Sequence, residues 1–464
     1  MLKLLFLALM IGGVPVAVAM AGASLLYVLI SGNVPPFVVV HRMVSGVDSF
    51  PLLAVPFFIL AGNLMNNAGI TNRIYAYALA LVGWFKGGLG HVNVVGSVVF
   101  AGMSGTAIAD AAGLGTIEIK AMKDHGYSSE FAVGVTAASA TLGPIIPPSL
   151  PFVIYGMMAN VSVGALFLAG ILPGLIMALL MMLTVAYFAH RNGWGSDIRF
   201  SGSRFGKAIV ETVVVAAWPI SLWLLITKAG THPQITVLLG LMALFACDRI
   251  FRFQAVLPIM TPVLLIGGMT TGLFTPTEGA IAACVWALVL GVLWYRTLSA
   301  RGLLKICLDT VETTATVLFI VAAASIFGWM LTATGVTAAI SAWVLGFTRE
   351  PWVFLLMANL LMLFVGCFLE PTAAITILVP ILVPICQQLG VDLVHFGLIM
   401  VLNLMIGLLH PPMGMVLFVL ARVARLSVER TTMAILPWLV PLLVSLVVLT
   451  YVPQLVLWLP RQVY

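Results

Sequence analysis

The sequence predicts an all-α protein that crosses a membrane many times. Of its 464 residues, 62% are apolar and 8% are charged, and the mean hydropathy is +1.18. Soluble domains carry about 25% charged residues, because a surface that faces water needs polar groups to cover it. A spanning helix needs about 20 apolar residues, so the chain has room for on the order of a dozen. These proportions exclude a soluble enzyme, a nucleic-acid-binding module and a disordered scaffold.

The first apolar segment, residues 2–30, begins like a signal peptide. Lys3, an apolar run and the Ala-Val-Ala sequence at 17–19 match the layout of such a peptide and its cleavage site. The apolar character continues past that site to Ile30, however. We therefore expect a membrane helix that the protein retains.

Two later apolar stretches, about 92–120 and 352–388, are interrupted near their middles. The first contains the small residues of 102–106, and the second contains Glu370-Pro371-Thr372 followed by two further prolines. Unwound backbone at membrane depth persists only where protein or a polar cavity satisfies its hydrogen-bonding groups. We therefore predict two re-entrant helical hairpins.

The chain contains an internal repeat, in which identical residues recur at nearly constant spacing. The pairs 266 residues apart are Gly62 and Gly328, Gly69 and Gly335, Thr106 and Thr372, and Ala107 and Ala373. The pairs 264 residues apart are Gly143 and Gly407, Pro147 and Pro411, Pro148 and Pro412, and Pro173 and Pro437. The predicted domains are therefore a first repeat at 1–190, a linker at 191–254 with two extra spans near 211–247, and a second repeat at 255–464.

The distribution of positive charge predicts that the two repeats are inverted. Lys and Arg mark cytoplasmic loops, and here they cluster at 191–207, 249–252, 296–305 and 422–430. The counterpart of the Arg425 loop lies near Asn160; it is uncharged and precedes the span that ends at Arg191. Equivalent loops therefore lie on opposite sides of the membrane. Inverted repeats with paired broken segments are typical of secondary transporters, whose site lies at the repeat interface.

The ends of broken helices offer binding sites for ions. Half-helix N-termini favour an anion, whereas unwound carbonyl groups favour a cation such as sodium. The candidate positions are the hairpin tips, 102–110 and 370–376, and the breaks in the helices that follow, 143–149 and 407–414. Ser104, Thr106 and Thr372 would add uncharged hydroxyl ligands. The alternative is that Gly and Pro only kink these helices while Ser and Thr cap them.

Four side chains with ionisable groups stand out in these regions. Asp110 and Glu370 lie within the hairpins, where burying a carboxylate in lipid is costly enough to suggest function. Glu370 either neutralises a bound cation or caps the second half of its hairpin. Glu278 is predicted first to cap a helix start, and the alternative is a functional role. His410 lies at a helix break, where the first repeat has Ile146; it is structural, coupled to protons or in contact with substrate.

The sequence contains few residue patterns that would support a disulfide framework, a transition-metal site or catalysis. The five cysteines are widely spaced and form no CxxC motif, and the seven histidines show no paired spacing. We expect buried, unpaired cysteines, no transition-metal site, no catalytic residues and no cofactor.

Six ordered motifs resemble the large membrane subunit, or permease subunit, of TRAP transporters. They are GNLMNNAG (62–69), NVVGSVVFAGMSGTAIADAAGLGT (93–116), GPIIPPS (143–149), FTPTEGA (274–280), LEPTAA (369–374) and LNLMIGLLHPPMG (402–414). The resemblance covers nearly the whole chain.

The resemblance implies an elevator-type, ion-transporter-like architecture in the bacterial inner membrane. A transport domain built around the two hairpins would slide against a scaffold, coupled to inward sodium flow. A periplasmic binding protein would deliver an organic acid, such as a dicarboxylate or sialic acid. A small four-helix membrane subunit would brace the scaffold. Because no such helices precede Met1, we expect that subunit to be a separate chain.

The resemblance also implies specific binding residues among the candidate positions. The predicted sodium ligands are Ser104, Gly105, Thr106, Gly143 and Pro148 in the first half, and Glu370, Thr372, Gly407 and Pro412 in the second. The predicted substrate-binding residues are Ser104, Thr106, Asp110, Pro147, Thr372, His410 and Pro411. Two departures affect these predictions: the family often has Asp-Thr-Thr at 370–372, and it commonly has Thr at position 410.

Two other functions remain open from the sequence. One is a stand-alone sodium/dicarboxylate symporter of similar architecture that needs no binding protein. The other is a membrane-embedded enzyme or a subunit of an ion pump, which would need catalytic carboxylates, histidines or cysteines that face one another.

Overall fold

The computed structural model describes residues 1–32, 34–228, 233–251, 253, 255–270, 273–410 and 414–463. The regular structure among these residues is helical, apart from an isolated antiparallel bridge between Lys86 and Ser196. Within these ranges, six helical stretches are long and apolar enough to cross a membrane: Phe50–Asn67, Val163–Arg191, Pro276–Trp294, Ala300–Ala333, Pro371–Gln388 and Val428–Tyr451. The prediction of a polytopic all-α membrane protein is confirmed.

Eleven α-helices lie in the described part of the first predicted repeat. They are α1 (Leu2–Ile11), α2 (Val16–Ser31), α3 (Phe37–Val47), α4 (Ala54–Asn67), α5 (Ile70–Val82), α6 (Gly88–Ser104), α7 (Ala107–Ala112), α8 (Leu114–Asp124), α9 (Ser129–Ala140), α10 (Leu150–Ala159) and α11 (Val163–Arg191). A short 3₁₀ turn at Phe50–Leu53 leads into α4. The first hairpin is formed by α6 on one side and by α7 and α8 on the other.

The linker and the second predicted repeat contain the remaining described helices. They are α12 (Gly202–Lys228), α13 (Pro233–Phe251), α14 (Val256–Thr270), α15 (Pro276–Leu288), α16 (Ala300–Ala333), α17 (Val336–Phe347), α18 (Pro351–Gly366), α19 (Pro371–Gln388), α20 (Leu393–Gly407), α21 (Met415–Ala424), α22 (Val428–Tyr451), α23 (Pro453–Leu457) and α24 (Pro460–Val463). A π-helical turn at Val289–Trp294 extends α15. The second hairpin is formed by α18 and α19.

Matching backbone features occur at matching positions of the two halves. Gly69 and Gly335 both adopt left-handed conformations, with φ of 72° and 70°, immediately before α5 and α17. Ser162 and Ser427 accept hydrogen bonds from the first turns of α11 and α22. These features satisfy groups that a helix end leaves unpaired. The two halves therefore share local structure as well as sequence, while their opposite orientation in the membrane stays a prediction.

The prediction that Glu278 caps a helix is confirmed. The Thr275 hydroxyl accepts a hydrogen bond from the Glu278 backbone N–H, and the Glu278 carboxylate accepts one from the Thr275 N–H at 2.8 Å. This reciprocal pair is a capping box, and it defines the start of α15.

Three details differ from the sequence-based expectations. The apolar segment 2–30 forms two helices, because α1 ends before two glycines and Pro15. Pro380 and Pro384 lie inside α19 and do not end it. Cys307 is exposed, whereas Cys284, Cys367 and Cys386 are buried as expected.

The two halves pack into each other through the helices that follow the hairpins. The first-half helix α9 packs against α22, and α11 packs against both α20 and α22. Each hairpin also crosses to the other half, because α19 packs against α10 while α7 packs against α21. Nearly every residue of α9 and α20 is buried, so these two helices form the centre of the core.

The contact between α9 and α22 depends on a glycine. A Cβ atom on Gly134 would lie 2.5 Å from the Ala434 carbonyl oxygen and against the Trp438 indole, so no side chain fits there. Gly206, within α12, has open space around it. We predict that Gly134→Ala lowers the thermal unfolding temperature of the purified protein, since overpacking a core costs roughly 1–3 kcal/mol.

The matched control is Gly206→Ala, which should leave that temperature unchanged or raise it, because Ala favours helix over Gly. Equal behaviour of the two variants in a thermal-unfolding assay would contradict the packing described for α9 and α22.

Candidate functional site

The first hairpin tip, residues 104–106, is a tight reversal stabilised by its own side chains. Helix α6 ends at Ser104, and Gly105 turns the chain with a left-handed φ of 64°. The Thr106 hydroxyl then accepts a hydrogen bond from the Ala109 N–H at 3.2 Å and caps α7. The Ser104 hydroxyl is buried and has no hydrogen-bond partner in the described part of the chain. The tip therefore presents a free hydroxyl beside the C-terminal end of α6.

The first helix break, residues 141–149, lies directly against this tip. A Cβ atom on Gly105 would come within 2.9 Å of the Pro148 carbonyl oxygen, and one on Gly143 within 3.1 Å of the Thr106 carbonyl oxygen. Ser149 ends the break by accepting a hydrogen bond from the Phe152 N–H, which caps α10. The structure thus brings together all five residues predicted as first-half sodium ligands.

The second hairpin tip, residues 367–370, is organised around Glu370. One carboxylate oxygen accepts the Ala373 N–H at 3.2 Å, and the other accepts the Thr372 hydroxyl at 2.8 Å. Glu370 is therefore the N-cap of α19, which was the capping alternative from the sequence. A carboxyl group at this position is also a group that would neutralise a bound cation once ionised, so the cap does not remove the other alternative.

The described start of the second helix break, residues 408–410, and the preceding Gly407 also lie against the second hairpin. A Cβ atom on Gly407 would come within 2.6 Å of the Gly366 carbonyl carbon, at the end of α18. The His410 ring nitrogen Nδ1 lies 3.3 Å from the Cys367 Sγ. His410 thus contacts the second hairpin tip. The predicted ligands Pro411 and Pro412 lie outside the described residues.

A cavity of about 670 Å³ connects the two halves at this point. Its lining includes Ser104 and Thr106 from the first hairpin tip and Glu370 from the second. Leu150, the first residue of α10, also lines it. The cavity is therefore bordered by the C-terminal residue of α6 and by the N-terminal ends of α10 and α19.

The opposite wall of the cavity is polar and uncharged. It is formed by α4, α5 and α16, and its polar residues are Asn63, Asn66, Asn67, Thr71, Asn72 and Thr313. Among the described lining residues, none is Lys, Arg or His, and Glu370 is the one with an ionisable side chain. Sequence reasoning did not select this wall, although four asparagines within 63–72 of an apolar region were a visible signal.

Among the described residues that line this cavity, none is Asp110, Pro147, Thr372 or His410, which were also predicted to bind substrate. Thr372 is buried behind Glu370, and Pro147 is buried within the first helix break. Asp110 is also buried, and its carboxylate accepts a hydrogen bond of 3.4 Å from Ser97 on α6. Asp110 therefore faces the interior of the first hairpin.

A separate network of buried polar groups joins the first hairpin to α9. The Asn93 amide donates to the Glu118 carboxylate at 2.6 Å and to the Thr136 hydroxyl at 2.8 Å, while Ser139 donates to the Asn93 oxygen at 2.7 Å. One carboxylate oxygen of Asp110 and one of Glu118 have no partner among the described residues. Sequence reasoning missed Glu118, although a carboxylate within an apolar hairpin was the signal that identified Asp110.

The arrangement contains groups that are suited to binding ions. Ser104, the last residue of α6, lines the cavity, and the C-terminal end of a helix carries partial negative charge, which suits a cation. The starts of α10 and α19 carry partial positive charge, which suits an anion. Among the described residues, no group of three His, Cys, Asp or Glu side chains could hold a metal ion.

The fold is that of a helical membrane transporter. Over 88% of this chain and 86% of the other, it superposes on the Alcanivorax borkumensis YdaH transporter with a TM-score of 0.58. The two sequences are 14% identical, so this likeness concerns the fold alone.

The chain belongs to the DctM component family of tripartite ATP-independent periplasmic transporters, which it matches over residues 4–455. It is 40% identical to the sialic acid TRAP transporter large permease protein SiaM of Vibrio cholerae, over 98% of this chain and 97% of that protein. It is 31% identical to the C4-dicarboxylate TRAP transporter large permease protein DctM of Rhodobacter capsulatus, over 98% and 97%. The resemblance found in the six motifs is confirmed, and the protein is a multi-pass permease subunit of the inner membrane.

The contact between the first hairpin tip and the first helix break can be tested with two glycines. We predict that Gly105→Ala severely reduces transport, because the new methyl group would meet the Pro148 carbonyl oxygen in addition to straining the backbone. Gly126→Ala has a similar backbone strain, with φ of 85°, but open space around it.

Substrate uptake into proteoliposomes, normalised to the amount of folded protein, compares the two variants. If Gly126→Ala reduces uptake as much as Gly105→Ala does, the loss reflects backbone strain and the tip contact has no special role.

Proposed function

We propose that this permease subunit imports an organic acid anion together with sodium ions, by movement of the hairpin-containing part of the molecule. The observation that carries the proposal is the charge of the cavity. Its described lining contains no basic side chain, and its one ionisable residue is the acidic Glu370. An anion cannot enter such a site favourably unless positive charge enters with it.

Sodium ions at the hairpin tips would supply that charge. In the first half, the Ser104 hydroxyl has no partner among the described residues, and it lies beside the Gly105 turn and the carbonyl groups of the first helix break. In the second half, Glu370 and Thr372 provide a carboxylate and a hydroxyl at the start of α19. These are the oxygen ligands that hard cations prefer.

The anion itself would be bound by helix ends and amide groups. The starts of α10 and α19 border the cavity and offer positive dipole ends, while the asparagines of α4 and α5 can donate hydrogen bonds to carboxylate oxygens. The two relatives described above are named for sialic acid and for C4-dicarboxylates. Both are organic acids, and we assign the same chemical class to the substrate of this protein.

An elevator movement is supported by the contacts between the first hairpin and the helices around it. Gly62 on α4 approaches the Ser104 carbonyl oxygen, and Gly102 on α6 approaches Pro262 on α14. A Cβ atom at these glycines would lie 3.2 Å and 2.7 Å from the neighbouring atom. We propose that these surfaces slide past one another, as packed helices do in shear motions.

The family is tripartite, and we propose both of its usual partners for this chain. A periplasmic binding protein would deliver the substrate, and a small membrane subunit would brace the helices outside the hairpin region. The alternative is a stand-alone sodium/dicarboxylate symporter, which needs neither partner.

Uptake into proteoliposomes separates these two functions. We predict that the permease with its small subunit takes up a radiolabelled organic acid only when its binding protein and an inward sodium gradient are both present. Replacing sodium by potassium is the control for ionic strength. Undiminished uptake without any binding protein would show that the protein is a stand-alone symporter.

Two hydroxyl groups test the assignment of the sodium ligands. We predict that Ser104→Ala and Thr372→Ala each raise the sodium concentration for half-maximal uptake by about 10-fold, as expected for losing one interaction with a charged group. Thr432→Ala is the matched control, because the Thr432 hydroxyl bonds only to the Val428 carbonyl of its own helix at 2.9 Å. If neither site variant changes the sodium dependence, the ligand assignment is wrong.

A further inference from the structure

A second, smaller cavity of about 170 Å³ lies between α5 and α12. Helix α12 packs against α5 here, and the Tyr77 and Thr212 hydroxyls form a hydrogen bond of 2.6 Å between the two helices. The small residues Ala76 and Ala80 on α5 and Ala208 on α12 line the cavity, so it stays open where larger side chains would fill it. Among the described residues, the two cavities share no lining residue, and the proposed transport function does not use this one.

The exposed charge at this cavity is positive. Arg204 and Lys207, three residues apart on α12, both line it; Arg204 is exposed and Lys207 is half-buried. Glu211, the acidic residue of the lining, is buried, and its carboxyl group accepts a hydrogen bond of 3.2 Å from the Ala255 N–H. The acidic group is therefore engaged inside the protein, whereas the basic groups lie towards the surface.

The cavity lies at the level where membrane meets water. Trp84, just after α5, packs against Phe200 and Phe205 at the start of α12, with ring centroids 5.1 and 6.1 Å apart. Aromatic side chains such as Trp are enriched at membrane interfaces. The exposed apolar side chains that follow Lys207 on α12 are Ile209, Val210 and Val213. The basic groups thus lie at the level of lipid headgroups, with apolar side chains towards the lipid tails.

The predicted topology places this cavity on the cytoplasmic side. It adjoins the cluster of Lys and Arg at 191–207, which the charge distribution assigns to the cytoplasm. Basic pockets between membrane helices on that side bind the headgroups of anionic lipids. The guanidinium group of an arginine can donate two parallel hydrogen bonds to a phosphate group, and the ammonium group of a lysine adds a further positive charge.

We propose that this cavity binds the phosphate headgroup of an anionic phospholipid, with Arg204 and Lys207 as its cationic ligands. An acyl chain of the lipid lies along the exposed apolar side chains of α12. A lipid fits better than free phosphate, because that apolar surface continues directly from the basic groups. The bound headgroup bridges α5 and α12. This inference goes beyond the proposed function and does not depend on it.

Native mass spectrometry of the full chain, purified in a neutral detergent, tests this binding. We expect dioctanoyl phosphatidylglycerol to bind about 10-fold more tightly than dioctanoyl phosphatidylcholine, because the zwitterionic lipid has the same chains but no net charge to pair with the basic groups. Inorganic phosphate at the same concentration should not displace the anionic lipid. Equal binding of the two lipids, or displacement by inorganic phosphate, would overturn the proposal.

The basic ligand can be tested by substitution. We expect Arg204→Gln to weaken the binding of dioctanoyl phosphatidylglycerol by about 10-fold, as for losing a hydrogen bond between charged groups, and Arg204→Lys to restore part of it. Arg301→Gln is the matched control, because Arg301 is an exposed basic residue near the start of α16 and is not among the described lining residues. Equal losses in Arg204→Gln and Arg301→Gln would show that only the overall charge of the protein matters.

The shape of the cavity can be tested without changing any charge. We expect Ala80→Leu, which fills the cavity, to weaken the binding of the anionic lipid, whereas Ala216→Leu, at an exposed position further along α12, should leave it unchanged. Thermal unfolding without lipid identifies a variant that fails to fold, and the exposed Arg204 variants then still decide the question. Wild-type binding in folded Ala80→Leu would show that the lipid does not occupy this cavity.

Discussion

The need to satisfy unwound backbone at membrane depth governs this structure. Each half contains a hairpin tip and a helix break, where the backbone is unwound. In water the peptide groups of such segments could bond to solvent, whereas in lipid they cannot. The hairpin tip and the helix break of each half therefore pack against each other. This contact requires Gly105 and Gly143 in the first half and Gly366 and Gly407 in the second. Because these contacts concentrate carbonyl groups and helix ends in one place, they provide the groups from which the proposed ion-binding region would be built.

Electrostatics then determines what that region can bind. The described lining of the cavity offers hydroxyls, amides, helix ends and the Glu370 carboxylate, and it offers no basic side chain. Under the proposed function, an organic anion would enter together with cations, and this requirement would give the coupling a physical origin. Within the first hairpin, Asp110 and Glu118 each have one buried carboxylate oxygen without a partner among the described residues.

The sequence predicted the features that depend on local chemistry and missed those that depend on distant contacts. The hairpins, the helix breaks and the Glu278 cap followed from glycine, proline and capping patterns. The direction of Asp110 could not be predicted, because α7 places its side chain towards Ser97 and not towards the cavity. The hydrogen bond from the Leu89 N–H to the Asp197 carboxylate could not be predicted either, since the two residues are 108 positions apart and no local pattern connects them. The sequence pattern wrongly predicted that Pro380 and Pro384 interrupt the second hairpin. Both lie inside α19, because packed helices tolerate internal prolines.

The most direct test of this account is the ratio of sodium to organic acid carried in one transport cycle. The fluxes of radioactive sodium and labelled substrate can be measured together in proteoliposomes that contain the permease, its small subunit and its binding protein. Because the described lining of the cavity holds no basic side chain, we predict that sodium enters in a fixed ratio with the acid, with at least one ion for each negative charge. Uptake of the acid without any accompanying sodium flux would contradict the account.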